Sequence, residues 1–386
     1  MHCVRIHRVI DQMISMCRHI GLWHDEDDGL TFIQFGLKSF YCVYYILFSI
    51  SFAIGTISSE TVDEGIFIAE LSTIIVVLTV KIWLFLWKQK KIVRMLDRLC
   101  VFSIRNDEEF AFFNDKVEKF NKFVIAYVCG AIIGSLGCSG FPFIGKKKTF
   151  VVDFAFPLDY KNSEIGFWTA NIFFTTENGL SFVALAFSIT TWYLLLHCSL
   201  RYKILGMEIR KMGRVTVAGE GKMTETQKQK MFHQDLVTSI EAHLHLRGVI
   251  DEVESFLSKL FLLQFATSCL CICGSIYCLA FVVGVNFVER IVHVYSLFYY
   301  TAELFIVTYF GNEIMLSSDC LTYSLFESEW IGQPHSTQTD VIIFGEYLKR
   351  SHEILIGKLY PLTLETFTRI LNASYSLFNI LKTVKR

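Results

Sequence analysis

A chain of 386 residues that is 53% hydrophobic, 15% aromatic and only 19% charged is poorer in charge than a soluble domain, where about a quarter of residues are charged. Its formal net charge of −1, with no basic cluster interleaved with stacking aromatics, argues against a nucleic-acid partner. The 36 phenylalanines, and four prolines (Pro142, Pro157, Pro334 and Pro361) confined to segment ends or loops, describe an all-α polytopic membrane protein with uninterrupted helices.

Arg5, Arg8, Asp11 and Arg18 interrupt the first twenty residues, so this stretch reads as an amphipathic helix rather than a cleavable signal. Seven apolar stretches of spanning length follow, at about 32–56, 66–86, 121–144, 166–197, 257–284, 290–312 and 361–384. Lys81 lies near one end of the second and can snorkel to the interface. Glu70, Glu177 and Glu303 are expected to face protein or water rather than lipid. The longest connection, about 198–256, is amphipathic: Leu236, Ile240, Leu244, Val249, Val253 and Phe256 punctuate charged residues at helical spacing. No soluble domain is hidden between the spans, so residues 1–386 form one seven-helix membrane domain.

The last segment opens at Gly357-Lys358-Leu359-Tyr360-Pro361-Leu362-Thr363 and continues as a helix of about 23 residues, roughly 34 Å long. Thr366, Arg369, Ala373, Ser376, Ile380 and Thr383 recur every three or four residues and form one small or polar stripe. Phe367, Ile370, Leu371, Leu377, Phe378 and Leu381 cover the rest. Such a stripe either packs on polar neighbours or faces water inside the membrane. One striped helix cannot enclose a pore, so a channel needs several chains.

Charge sets the expected orientation. Lys and Arg number three in residues 1–30, eight in 88–119 and nine in 201–247. The alternate connections hold none in 57–65, four in 145–165 (including Lys146-Lys147-Lys148) and one in 285–290. The basic set belongs in the cytoplasm, which puts the amino terminus inside and, after seven crossings, the carboxyl terminus outside. A G-protein-coupled receptor has the opposite orientation, and its acidic-Arg and Asn-Pro signatures are absent here.

Neither catalytic nor metal chemistry is expected. Among twelve cysteines, Cys269, Cys271, Cys273 and Cys278 share one span, but helix residues two apart point about 200° apart and cannot build a zinc site. His243 and His245 fail as paired ligands for the same reason, and a structural role at the subunit contact is expected of them instead. The sequon Asn372-Ala373-Ser374 falls inside the last span. No Gly-rich phosphate loop or nucleophile elbow occurs in a suitable context, so neither an enzyme nor a cofactor is anticipated.

The terminal block resembles the signature of insect odorant receptors in Gly357, Lys358, Pro361, Leu362, Thr366, Phe367, Ser374, Tyr375, Ser376 and Phe378. Gly311-Asn312-Glu313, Ser317 or Ser318, and Ser324-Leu325-Phe326-Glu327-Ser328-Glu329-Trp330 are similar to that family's junction between spans six and seven. His243, Gln264-Phe265 and Pro157-Leu158-Asp159-Tyr160 also sit at family spacing. Gustatory relatives close span seven with Thr-Tyr and then Gln-Phe, where this chain has Ser374-Tyr375 and Lys382-Thr383. The family's co-receptor carries a large insertion where Gly213 to Met231 is short. The chain therefore looks like an odorant-specific tuning subunit.

The resemblance implies a ligand-gated, non-selective cation channel of four subunits, assembled with the co-receptor in the plasma membrane of the olfactory neuron dendrite and surrounded by membrane lipid. In that scheme 1–200 carries the outer ligand-binding helices with spans one to four. Residues 201–360 carry the cytoplasmic subunit-contact helices with spans five and six, and 361–386 the pore helix. Subunits are expected to meet through 201–212, 233–256, 313–330 and 336–355. A small volatile odorant calls for a compact apolar pocket. The family places it in the outer half among spans two, three, four and six, which selects Leu71, Ile74, Gly134, Gly137, Phe141, Thr175, Asn178, Tyr295, Phe298 and Tyr299. Gly134 and Gly137 either make room for a ligand or permit close helix approach. Tyr295 and Tyr299 suit an aromatic or phenolic odorant, or serve as aromatic core. Along the last helix Ser376 faces the pore, the hydrophobic gate falls at Ile380 and a polar constriction at Thr383. Arg369 is expected in a wide inner vestibule or paired with an acid such as Glu365. The alternatives are a gustatory-type homotetrameric channel and, from another class, a secondary transporter, although no internal repeat is visible.

Overall fold

Apolar runs without internal proline continue as single helices, several of them well past membrane thickness. The computed structural model describes residues 2–24, 31–59, 62–143, 150, 154–214, 224–281 and 287–384. In chain order these contain β1 (His2–Val4), α1 (Arg8–His19), α2 (Phe32–Ile57), α3 (Val62–Trp87), α4 (Gln89–Cys100) and β2 (Phe102–Ile104). Then come α5 (Asp107–Gly140), α6 (Glu164–Arg210), α7 (Glu225–Phe281), α8 (Phe287–Phe326) and α9 (His335–Leu348). The chain closes with β3 (Leu355–Ile356), β4 (Tyr360–Pro361) and α10 (Leu364–Val384). Among the described residues the fold is helical apart from two antiparallel ribbons, β1 with β2 and β3 with β4.

Among the described residues, five helices, α2, α3, α5, α6 and α7, are long and apolar enough to cross a membrane by length and composition. The other two expected segments fall on the first half of α8 and on α10. The amphipathic amino-terminal helix is shorter than anticipated. Its first residues instead pair as β1 with β2, His2 opposite Ile104, and His7 caps α1 by accepting from the Val9 amide at 3.2 Å. The segments around Lys146-Lys147-Lys148 and residues 215–223 of the short 213–231 connection, as well as Arg386, lie outside the described residues.

Helix α6 is the axis of the molecule. It packs against α2, α3, α4, α5, α7 and α8, and from Val183 to Leu200 nearly every side chain is buried. A helix apolar around its whole circumference needs such an enclosed position. Ser163 starts it by accepting from the Gly166 amide at 3.3 Å. Helix α10 lies against α7 and α8, outside this central cluster.

Four ionisable residues within the spans turn inward. Glu70, Glu177 and Glu303 are buried, as expected. Lys81 does not snorkel: it is 2% exposed and forms an ion pair with Glu303 of α8. An opposite charge within reach on a neighbouring helix keeps its ammonium inside the bundle.

Candidate functional site

Between α3, α5, α6 and α8 lies a cavity of about 410 Å³, within the size range of small-ligand pockets. It exists because the facing side chains are unequal in size. Helix α5 presents Gly130, Ala131, Gly134 and Ser135 at helical spacing, while α8 presents Tyr295, Phe298 and Tyr299. Leu78, Phe182 and Leu185 complete apolar walls. A larger cavity of about 580 Å³ opens near β2 and the facing parts of α6 and α7. Arg105, Arg201, Glu208, Lys211 and Asp235 line it, which does not suit an apolar volatile molecule.

Of the expected pocket positions, Gly134, Asn178, Tyr295, Phe298 and Tyr299 line the smaller cavity. Ile74 borders an adjacent crevice of about 20 Å³ that shares Leu78 and Tyr299 with it. Leu71 is half-buried against the core. Gly137 and Thr175 are exposed, and the side chain of Phe141 lies outside the described residues. A Cβ at Gly134 would come 3.0 Å from the Tyr295 hydroxyl, whereas nothing lies within 4 Å of one at Gly137. Gly134 thus makes room for a neighbouring tyrosine.

Sequence reasoning missed Tyr127, Ser135, Phe182 and Ser188, which also line the cavity. Steps of three and four residues from Gly134 and Asn178 reach Tyr127, Gly130 and Ala131 on α5 and Ser181, Phe182, Leu185 and Ser188 on α6. That periodicity was the available signal.

At one end the cavity meets buried ions. Lys81 Nζ donates to Ser188 Oγ at 3.1 Å and pairs with Glu303. Ser188 Oγ in turn donates to Glu303 Oε1 at 3.4 Å. Lys81, Gln264, Tyr300 and Glu303 line the crevice behind them. Elsewhere, Ser275 donates to Glu70 Oε2 at 3.1 Å, and a Cβ at Gly274 would collide with that carboxylate.

The expected pore residues occupy one face of α10. Ser376, Ile380 and Thr383 are exposed on the single chain, together with Arg369 and Ala373. Thr366 departs from this stripe: it is buried, and its hydroxyl donates to the Pro361 carbonyl at 2.7 Å. The opposite face anchors the helix through Phe367 against Phe305, Ser374 donating to Cys269 Sγ at 3.4 Å, and Phe378 stacked on Phe281. Arg369 pairs with Glu365 at 2.6 Å, as anticipated.

The Gly-Lys signature has a conformational cause. Gly357 and Lys358 have φ of 58° and 62°, so Ile356-Gly357-Lys358-Leu359 turns with both central residues left-handed, closed by a 2.9 Å bond from the Leu359 amide to Ile356. A Cβ at Gly357 would lie 2.7 Å from Leu262. The hairpin is seated on α7 by Ser258, whose carbonyl accepts from Gly357 and whose hydroxyl donates to Leu355 at 2.6 Å. Gly311 lets α8 touch the Leu362 backbone, because a Cβ there would collide with the Leu362 carbonyl oxygen.

Nearby, His352 Nδ1 lies 2.7 Å from the Tyr202 hydroxyl and Nε2 lies 3.0 Å from Asp251. Burial lowers its pKa, and Asp251 acts in the opposite direction. His243 is buried within the chain itself, against Tyr202, Phe344 and Tyr347.

Comparison with known proteins agrees with this architecture. A family model described as "7tm Odorant receptor" matches residues 67–375. "Odorant receptor 94a" of Drosophila melanogaster is 22% identical over 98% of this chain and 97% of its own length. "Odorant receptor 23a" of the same organism is 26% identical over 58% of this chain and 57% of its own. The insect olfactory receptor OR5 from Machilis hrabei shares the fold, with a TM-score of 0.81 at 13% identity over 97% of this chain and 99% of that one. Its complex with eugenol superposes with a TM-score of 0.82 at 14% identity, over the same shares of the two chains.

Proposed function

Because this chain belongs to the 7tm odorant receptor family, we propose that it is the odorant-specific subunit of a ligand-gated cation channel. The cavity of about 410 Å³ among α3, α5, α6 and α8 carries this reading. It is compact, mostly apolar and rimmed by aromatic rings, which suits a small volatile ligand. The related Machilis hrabei receptor has a structure with eugenol, an aromatic molecule of suitable size. We therefore assign the ligand role to Gly134, Asn178, Tyr295, Phe298 and Tyr299, with Tyr127 and Ser188 added. Ile74 and Leu71 support the cavity wall from α3. Gly137, Thr175 and Phe141 complete the set proposed from the family's pattern.

In this reading residues 1–386 act as one membrane domain with seven crossings, cytoplasmic at the amino terminus and extracellular at the carboxyl terminus, as the distribution of Lys and Arg supports. Four subunits, including the co-receptor, surround a pore lined by Ser376, Ile380 and Thr383 in the plasma membrane of the olfactory dendrite. An apolar ring at Ile380 closes such a pore by dewetting. The test is whole-cell current during an odorant panel, in cells expressing this chain with and without the co-receptor. Odorant-evoked cation current only with both chains is expected. Robust current from this chain alone overturns the partnership, and no current with either arrangement overturns the receptor reading.

A further inference from the structure

We propose that the polar end of the cavity is a hydroxyl-recognising subsite, so that this chain prefers volatile alcohols and phenols to the matching ethers, esters and hydrocarbons. The inference deepens the receptor reading above and rests on it. Its centre is Ser188, which lines the cavity yet is only 7% exposed. A serine hydroxyl has one proton and two lone pairs. Lys81 Nζ occupies one lone pair at 3.1 Å, and the proton points to the Glu303 carboxylate at 3.4 Å. What remains toward a ligand is one acceptor position and no donor.

A ligand O–H donates into that position and completes the serine. An ether or ester oxygen brings only lone pairs, and must compete with an ionised carboxylate for the single serine proton. A hydrocarbon leaves the acceptor unmade. The ammonium and carboxylate behind Ser188 already neutralise each other, so a charged amine or acid would add an unpaired charge inside the bundle. The favoured ligand is therefore neutral. Asn178 and Ser188 line the cavity ten residues apart on α6, about 15 Å along the helix. That spacing lets the hydroxyl reach Ser188 while an apolar body extends between Phe182, Leu185 and Phe298.

The experiment uses matched pairs, para-cresol with para-methylanisole and benzyl alcohol with benzyl methyl ether, on cells coexpressing this chain and the co-receptor. The hydroxyl member of each pair is expected to reach half-maximal current at a concentration about tenfold lower, the ratio one charge-backed hydrogen bond supplies. Ser188→Ala should remove the gap by weakening the hydroxyl member, with the ether little changed. Ser188→Thr, which keeps the hydroxyl, should keep the gap. If Ser188→Ala fails to reach the surface, Ser188→Cys preserves size with a poor acceptor and should also close the gap. Equal potency within pairs in the unsubstituted protein, or a gap that survives both Ala and Cys, overturns the subsite. So does current evoked by other odorants but by neither member of any pair. Silence to every odorant is a different result and removes the receptor reading itself.

Discussion

The membrane half and the opposite end of the bundle are built on contrasting principles. Around the cavity, small residues on α5 face large rings on α8 and leave space, and a buried ion pair backed by Ser188 closes one end of it. Where the β3–β4 hairpin joins α7 and α8, the backbones approach closely instead. Gly311 and Gly357 sit where a single added carbon would collide with Leu362 or Leu262, and backbone bonds from Gly357 to Ser258 and from Leu362 to Ile354 fix the hairpin. The first region tolerates a guest, and the second tolerates no change of shape. Family-signature residues lie mainly in the second, because it fixes how the last helix leaves the bundle.

The contrast is most easily broken at Gly311. Gly311→Val should abolish folded surface protein, since both α8 and the Leu362 backbone would have to move. Surface labelling and size-exclusion of a fluorescent fusion measure this, with Gly137→Ala as the matched change into open space. Normal expression of the valine variant would show that the hairpin junction yields.

Next in size is the buried ion pair. Lys81→Met alone leaves the Glu303 charge uncompensated, a destabilisation of about 3–5 kcal/mol. Lys81→Met combined with Glu303→Gln should recover most of it, as melting of the detergent-solubilised protein would report. A double variant no better than the single one would sink the pairing.

Within the cavity, Tyr299→Ala removes a ring from its wall, at a cost of about 1–3 kcal/mol, or roughly 5- to 150-fold in odorant potency. Dose–response curves at matched surface expression test it, and unchanged potency would remove Tyr299 from the ligand site.

For the last helix, Ile380→Ser should raise resting leak current several-fold, whereas Leu371→Ser on the buried face should change expression alone. Leak appearing with Leu371 and not Ile380 would reverse the two faces.

The smallest effect belongs to His352. Burial lowers its pKa in the folded chain, so the unfolded chain binds more protons over the interval below the ordinary histidine value near 6.5. Stability from the neutral ring is complete above about pH 6.5 and declines as pH falls through the lowered pKa. Melting temperature should therefore drop on acidification, and less so in His352→Gln. Equal pH slopes in both proteins would exclude this histidine as the cause.

Much of this organisation was legible in the chain. Proline-free apolar runs gave the helices, and the spacing of Arg369, Ala373, Ser376, Ile380 and Thr383 gave the open face of α10. The cavity wall was harder to read. Helix α6 is buried on nearly all sides between Val183 and Leu200, so polarity alone does not mark the face of Ser188 that meets empty space, and the three- and four-residue steps from Asn178 are what point to it. Lys81 was misjudged because its counter-charge lies 222 residues away, and a charge near a span end reads locally as one that escapes to water. Thr366 looked like part of the polar stripe because periodicity does not reveal a hydroxyl already satisfied by Pro361.

The seating of the hairpin gives α10 the mechanics of a cantilever. Its root is clamped by Leu362, Thr366 and the Ser258 bonds, whereas beyond Ser374 the described ring contact to another helix is Phe378 on Phe281. Ile380 stands fourteen residues beyond Thr366, an overhang of about 21 Å. A fixed root and a lightly held tip concentrate deflection at the free end. A slight bend near Ser374 therefore swings the Ile380 side chain sideways while the root and the hairpin keep their positions.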